Sequence, residues 1–84
     1  TLAQALNAQV GNEFGASLQY YAIGAHFHRQ HLAQLAKLFF KQADEEREHA
    51  QKILHYIVET GGELRLPAVK EPVHTFATAE DALQ

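Results

Sequence analysis

Two stretches of helical periodicity, residues 2–29 and 32–59, dominate the sequence, and no proline interrupts either. In the first, Leu2, Leu6, Val10, Phe14, Ser17, Leu18, Tyr21 and Ala25 recur at spacings of three and four. In the second, Leu35, Leu38, Phe39, Ala43, Ala50, Ile53, Leu54 and Ile57 form the matching stripe. Such spacing places one apolar face on each helix. The segment HFHRQH, His26 to His31, reads as the turn between them. Thr60-Gly61-Gly62 ends the second run, because glycine takes the left-handed conformation that closes a helix. A helix over residues 2–29 is about 42 Å long. A lone hairpin of that length gives each helix one neighbour, and its stripes are wider than one neighbour covers. The expected fold is therefore all-α: an antiparallel hairpin that pairs with a second hairpin into a four-helix bundle.

Beyond the hairpin, residues 61–77 read as an ordered crossover. Pro67 and Pro72 forbid a helix interior there, while Leu64, Leu66, Val69 and Val73 keep the segment packed on something. Thr78 and Asp81 then resemble a capping box, with Ala82 and Leu83 opening a new apolar stripe at about 78–84. One or two turns of helix are marginal in water. Either the chain is a fragment, or another chain completes its tail. Gly11, Gly15 and Gly24 each weaken the first helix by about 1 kcal/mol relative to alanine and mark candidate close contacts.

Composition narrows the function. The 84 residues fill one domain, and a chain 46% hydrophobic and 20% charged is globular. A net charge of -3 without a Lys/Arg cluster argues against nucleic acid as a partner. No cysteine is present, which excludes disulfides, thiolate-bound zinc and thiol chemistry, and permits a cytoplasmic location. TLAQALNAQ lacks the basic and apolar regions of a signal peptide, and no apolar run approaches the roughly 20 residues of a membrane helix.

The chemistry concentrates in EEREHA, Glu45 to Ala50. At about 100° per residue, Glu46 falls among the directions of Phe39, Ala50, Ile53 and Ile57, with His49 about 60° away. Asp44, Arg47 and Glu48 point outward, and Glu45 lies on the margin. On the first helix, Glu13 shares its direction with Leu6, Val10, Ser17 and Tyr20. Unpaired inward carboxylates cost several kcal/mol or protonate. Arg47, Lys37, Lys41 and Lys52 are placed off the stripe, so a divalent metal is the economical neutraliser. A Glu-x-x-His pair offers one oxygen and one nitrogen from a single helix face, and this oxygen-rich set suits iron or manganese better than structural zinc. Gln42, one turn before Glu46, is a candidate hydrogen-bond donor to it. Tyr20 and Tyr21 read as core packing, and His26, His28, His31 and His55 as surface residues.

These stretches resemble the ferritins, particularly the bacterial non-haem ferritins. The resemblance rests on LNAQVGNEFGASLQYYAI, LAQLAKLFFKQADEEREHAQKIL and GGELRLPAV. It implies that Glu13, Glu46 and His49 are iron ligands, that Glu45 can hold an accessory iron, and that Tyr20 sits beside a di-iron centre. It covers the first two of a ferritin subunit's four long helices, the crossover, and the first turn of the third. The chain is thus either a half-bundle, completed by a two-fold related copy, or the N-terminal half of a ferritin subunit. Di-iron bundles take one Glu from each of two helices and a Glu-x-x-His from each of the other two; this chain has one of each. The implied activity is that of a ferroxidase, oxidising Fe(II) with dioxygen for storage or detoxification. The absence of methionine speaks against a haem-containing member of the family. The alternative reading is a non-catalytic helical interaction module whose inward polar residues set register, or a truncated ferritin with an incomplete site.

Overall fold

The computed structural model describes residues 1–76. Two helices, α1 (Leu2–Arg29) and α2 (Ala33–Glu59), pack as an antiparallel hairpin, and the described residues contain no strand. Residues 61–76 run on without regular structure. The capping box expected at Thr78 and the helix expected at about 78–84 lie outside the described residues. No described helix is long and apolar enough to cross a membrane. α1 begins with its own capping box: Thr1 Oγ1 accepts from the Gln4 N–H, and the Gln4 side chain accepts from the Thr1 nitrogen.

The turn is shorter than HFHRQH suggested. His26, Phe27, His28 and Arg29 all belong to α1, because Phe27 is fully buried and holds the last turn in the core. Termination falls to His31, at φ 63°. The His31 N–H donates to His28 O at 3.1 Å and the Leu32 N–H to Phe27 O at 2.9 Å. That pair of bonds is a Schellman motif. α2 closes in the same way: Gly61, at φ 80°, donates to Val58 O at 3.2 Å, and Gly62 donates to Ile57 O at 2.8 Å. One motif carries glycine at the left-handed position and the other carries histidine.

Two apolar clusters hold the helices together. Val10, Ala50 and Ile57 form one, with Leu6, Phe14, Ile53 and Leu64 against them. Ile23, Phe27 and Ala36 form the other, with Tyr20, Leu35, Phe39, Phe40 and Phe76. Small residues set the spacing between the helices. Ser17 Oγ donates to Ala43 O across the seam at 2.8 Å, both residues buried. A Cβ at Gly24 would lie 2.7 Å from the Phe40 ring. The expected stripe is corrected at its edges. Leu2, Leu18 and Leu38 are exposed, because the one neighbouring helix does not cover them, and Tyr21 is exposed although its ring lies beside Phe40 of α2. Asp44 does not simply point to solvent, since it accepts a hydrogen bond from the Tyr21 hydroxyl.

The crossover lies along the far side of α1, on a row of residues four apart. Asn7, buried, donates to Glu63 O at 3.0 Å and accepts from the Arg65 N–H at 2.7 Å. Gln19 donates to Val73 O at 3.0 Å and accepts from the Val73 N–H at 2.9 Å. Between these two clamps sit Gly11 and Gly15. A Cβ at Gly11 would come within 2.4 Å of Pro67 Cγ, and one at Gly15 within 3.5 Å of Val69. Glycine thus lets the proline-containing segment lie against the helix. The result is elongated: the radius of gyration is 14.8 Å, against about 12 Å for a compact chain of this length.

His31→Gly relieves the left-handed strain and is expected to stabilise the protein by about 0.5–1 kcal/mol. Gly61→Ala is expected to cost about 1 kcal/mol for the mirror reason. Denaturation midpoints read both; a destabilised His31→Gly would contradict the turn described here.

Candidate metal centre

Between the two apolar clusters, a polar group interrupts the seam. Glu13 projects from the middle of α1, and Glu46 and His49 from the middle of α2. One ligand atom from each lies within 4.8 Å of the others. His49 Nδ1 is 3.9 Å from Glu13 Oε2 and 3.8 Å from Glu46 Oε2. Two atoms bound to one ion at about 2.1 Å can be no more than about 4.2 Å apart. Both separations from the imidazole fall inside that limit. The carboxylates are largely buried, at 19% and 17% exposed, while the imidazole is 56% exposed and stands at the open edge of the seam. His49 is therefore less enclosed than its place beside the apolar stripe suggested, and solvent reaches the group from its side.

Electrostatics mark the site as short of positive charge. The Glu46 carboxyl is pushed above the ordinary glutamate range, chiefly by a hydrogen bond with Glu13, then by burial and by the Glu13 charge; His49 and the Gln42 side chain oppose the rise. Arg47 does not help. It pairs instead with Asp44 at 3.7 Å, with both side chains about half exposed. Lys37, Lys41 and Lys52 are exposed. The Tyr21 hydroxyl, held by Asp44, is itself pushed up, first by that hydrogen bond, then by burial and by the Asp44 charge.

The other expected site residues are not part of the group. Tyr20 packs in the Ile23–Phe27 cluster, its ring centroid 6.0 Å from that of Phe39. Glu45 is half-buried on the neighbouring face of α2. Gln42 Nε2 does reach Glu46 Oε1, at 3.5 Å. Sequence reasoning missed Gln9, whose Nε2 donates to Glu13 Oε1 at 2.8 Å. The available signal was its position four residues before Glu13, the same spacing as Gln42 to Glu46. His26 is likewise not a simple surface residue. Its ring packs edge-on against Phe27 and Phe76, and its Nε2 is buried.

A sequence model of the ferritin-like domain matches residues 3–84. The chain belongs to the ferritin family. It is 41% identical over 75 residues to Ferritin BfrB of Mycolicibacterium smegmatis, covering 89% of this chain and 41% of that protein. It is 40% identical over 83 residues to the chloroplastic Ferritin-2 of Zea mays, covering 94% of this chain and 33% of that one. An open-pore ferritin from the hyperthermophilic archaeon Archaeoglobus fulgidus superposes with a TM-score of 0.90 at 28% identity, over 96% of this chain and 49% of that chain. The hairpin and crossover are thus a ferritin-like fold, and the chain spans less than half the length of each of these ferritins.

Because the fold raises the Glu46 pKa, the folded metal-free chain holds that proton more tightly than the unfolded chain does. This contribution to stability is complete below pH 4.5, the ordinary glutamate value, and is lost as pH rises through the raised value. Glu46→Gln mimics the protonated form. It is expected to raise the melting temperature of the chelator-treated protein at neutral pH, with the gain vanishing on acidification. A melting temperature lowered at neutral pH would contradict the repulsion between Glu13 and Glu46.

Proposed function

We propose that Glu13, Glu46 and His49 bind Fe(II) as a substrate, and that the completed centre oxidises it to Fe(III) with dioxygen, for storage or detoxification of iron. The observation that carries this reading is the convergence of two carboxylates and one imidazole inside an otherwise apolar seam. Two oxygen donors and one nitrogen suit iron, and a divalent ion takes the place of the proton that the Glu13 hydrogen bond, burial and the Glu13 charge favour on Glu46. The ferritin names of the relatives support the same substrate.

Within this reading, each residue has a definite task. Glu13 and Glu46 present Oε2 and supply the negative charge that draws a cation into the seam. His49 presents Nδ1 at the rim, where its exposure leaves a path for iron. From the family resemblance, Glu45 is assigned to an accessory cation and Tyr20 to the surroundings of the centre. Each Fe(II) gives up one electron, and dioxygen is the acceptor. The protein supplies geometry and charge.

The centre on one hairpin is half of a di-iron set. A bundle site of that kind draws on four helices, with a Glu from each of two and a Glu-x-x-His from each of the others. On α2, Leu38 and Tyr56 share the open face with His49 and are 59% and 53% exposed. A second hairpin laid on that face covers both and brings a second Glu and Glu-x-x-His to the centre. A two-fold related copy of this chain meets that requirement, as does a second pair of helices in the same subunit.

Glu13→Ala and Glu46→Ala are each expected to slow aerobic Fe(II) oxidation at least about tenfold. Helix content should be unchanged, since alanine is the best helix former. Stopped-flow Fe(III) absorbance and circular dichroism read the two effects. Wild-type oxidation rates in either variant would refute the assignment. Such rates, with stability indifferent to chelation, would instead fit inward polar residues that only set register.

A further inference from the structure

Each carboxylate of the centre is held by a glutamine one turn earlier on its own helix. Gln9 Nε2 donates to Glu13 Oε1 at 2.8 Å. Gln42 Nε2 donates to Glu46 Oε1 at 3.5 Å. Residues four apart on a helix are surface neighbours, so each glutamine reaches its carboxylate without distorting the helix. The two pairs match in detail. In both, Oε1 takes the amide hydrogen bond; in both, Oε2 is the oxygen turned to His49 Nδ1, at 3.9 Å from Glu13 and 3.8 Å from Glu46.

The match matters because a glutamate carboxylate turns easily. Its terminal torsion is broad and roughly two-fold, unlike the sharp wells of the aliphatic torsions before it. Left alone, each carboxylate samples orientations that bring neither oxygen squarely to the imidazole. An amide donor on one oxygen removes that freedom and leaves the other oxygen aimed. The two helices contribute one such pair each, so the arrangement presents two pre-aimed oxygens from opposite walls.

We infer that Gln9 and Gln42 are positioning residues that fix Glu13 and Glu46 with Oε2 toward a shared divalent cation. This inference rests on the metal-binding reading of Glu13, Glu46 and His49. Gln9 itself is exposed on α1, and its side chain bonds to nothing else described. Its removal should therefore leave the fold intact while loosening the carboxylate it holds. Hydrogen-bond partners of metal ligands typically change affinity by about 10–100-fold when removed.

Anaerobic Co(II), which does not turn over, is the probe. Gln9→Ala and the bulk-preserving Gln9→Leu are each expected to weaken Co(II) binding about tenfold by calorimetry and to alter the Co(II) visible spectrum. The melting temperature of the chelator-treated protein should stay unchanged. Gln42→Ala is expected to act in the same direction. Wild-type affinity and spectrum in the Gln9 variants would overturn the inference, as would a loss of affinity matched by a lower metal-free melting temperature. Glu13→Ala separates the two levels. If it loses Co(II) while Gln9→Ala does not, only the positioning role fails; if it binds Co(II) as the wild type does, the metal reading fails as well.

Discussion

Two carboxylates facing each other across a helix seam call for a positive charge, and among the described residues the His49 imidazole is the basic group within 4 Å of both. Glu13 and Glu46 sit between two apolar clusters, largely out of solvent. The nearest guanidinium, Arg47, is committed to Asp44 on the outer face. Unpaired charge at such a position costs several kcal/mol. The raised Glu46 pKa is the signature of that unmet cost. Under the proposed metal-binding reading, a divalent cation meets that cost.

The fold fixes the distance between α1 and α2. Small side chains at the seam let the helices approach: Ala43 and Ala50 on one, Gly24 and Ser17 on the other. The clusters on either side lock that approach with Phe27, Val10 and Ile57, all fully buried. On its far side α1 is braced by the crossover, clamped at Asn7 and Gln19. The helix that carries Glu13 is thus held from two directions. The remaining open face, with Leu38, Tyr56 and the exposed side of His49, is where the structure stops short of a closed core.

Much of this was legible in the sequence, and the reason is periodicity. Two proline-free runs with apolar residues every three or four positions leave no plausible alternative to a helical hairpin, and the same arithmetic turns Glu13 and Glu46 inward. Periodicity gives direction, however, and does not say which neighbour occupies it. Leu38 and Leu2 lie on stripes yet face no partner within the described residues. The helix ends near Arg29 and Leu32 were legible, but HFHRQH overstates the turn: Phe27 keeps its turn helical through burial, and the left-handed residue is His31 where a glycine would have flagged it. Asn7, Gln9 and Gln19 were passed over since polar residues on a long helix ordinarily face water. Their role shows only once the crossover and the second carboxylate are in place.

Under the proposed function, one hairpin holds half of a two-metal centre. Native mass spectrometry of the protein after anaerobic addition of Fe(II) tests it most directly, because it reads assembly and metal content together. Two irons bound to each pair of chains are expected, with single chains iron-free. Iron held by single chains, or paired chains that take up none, would contradict it.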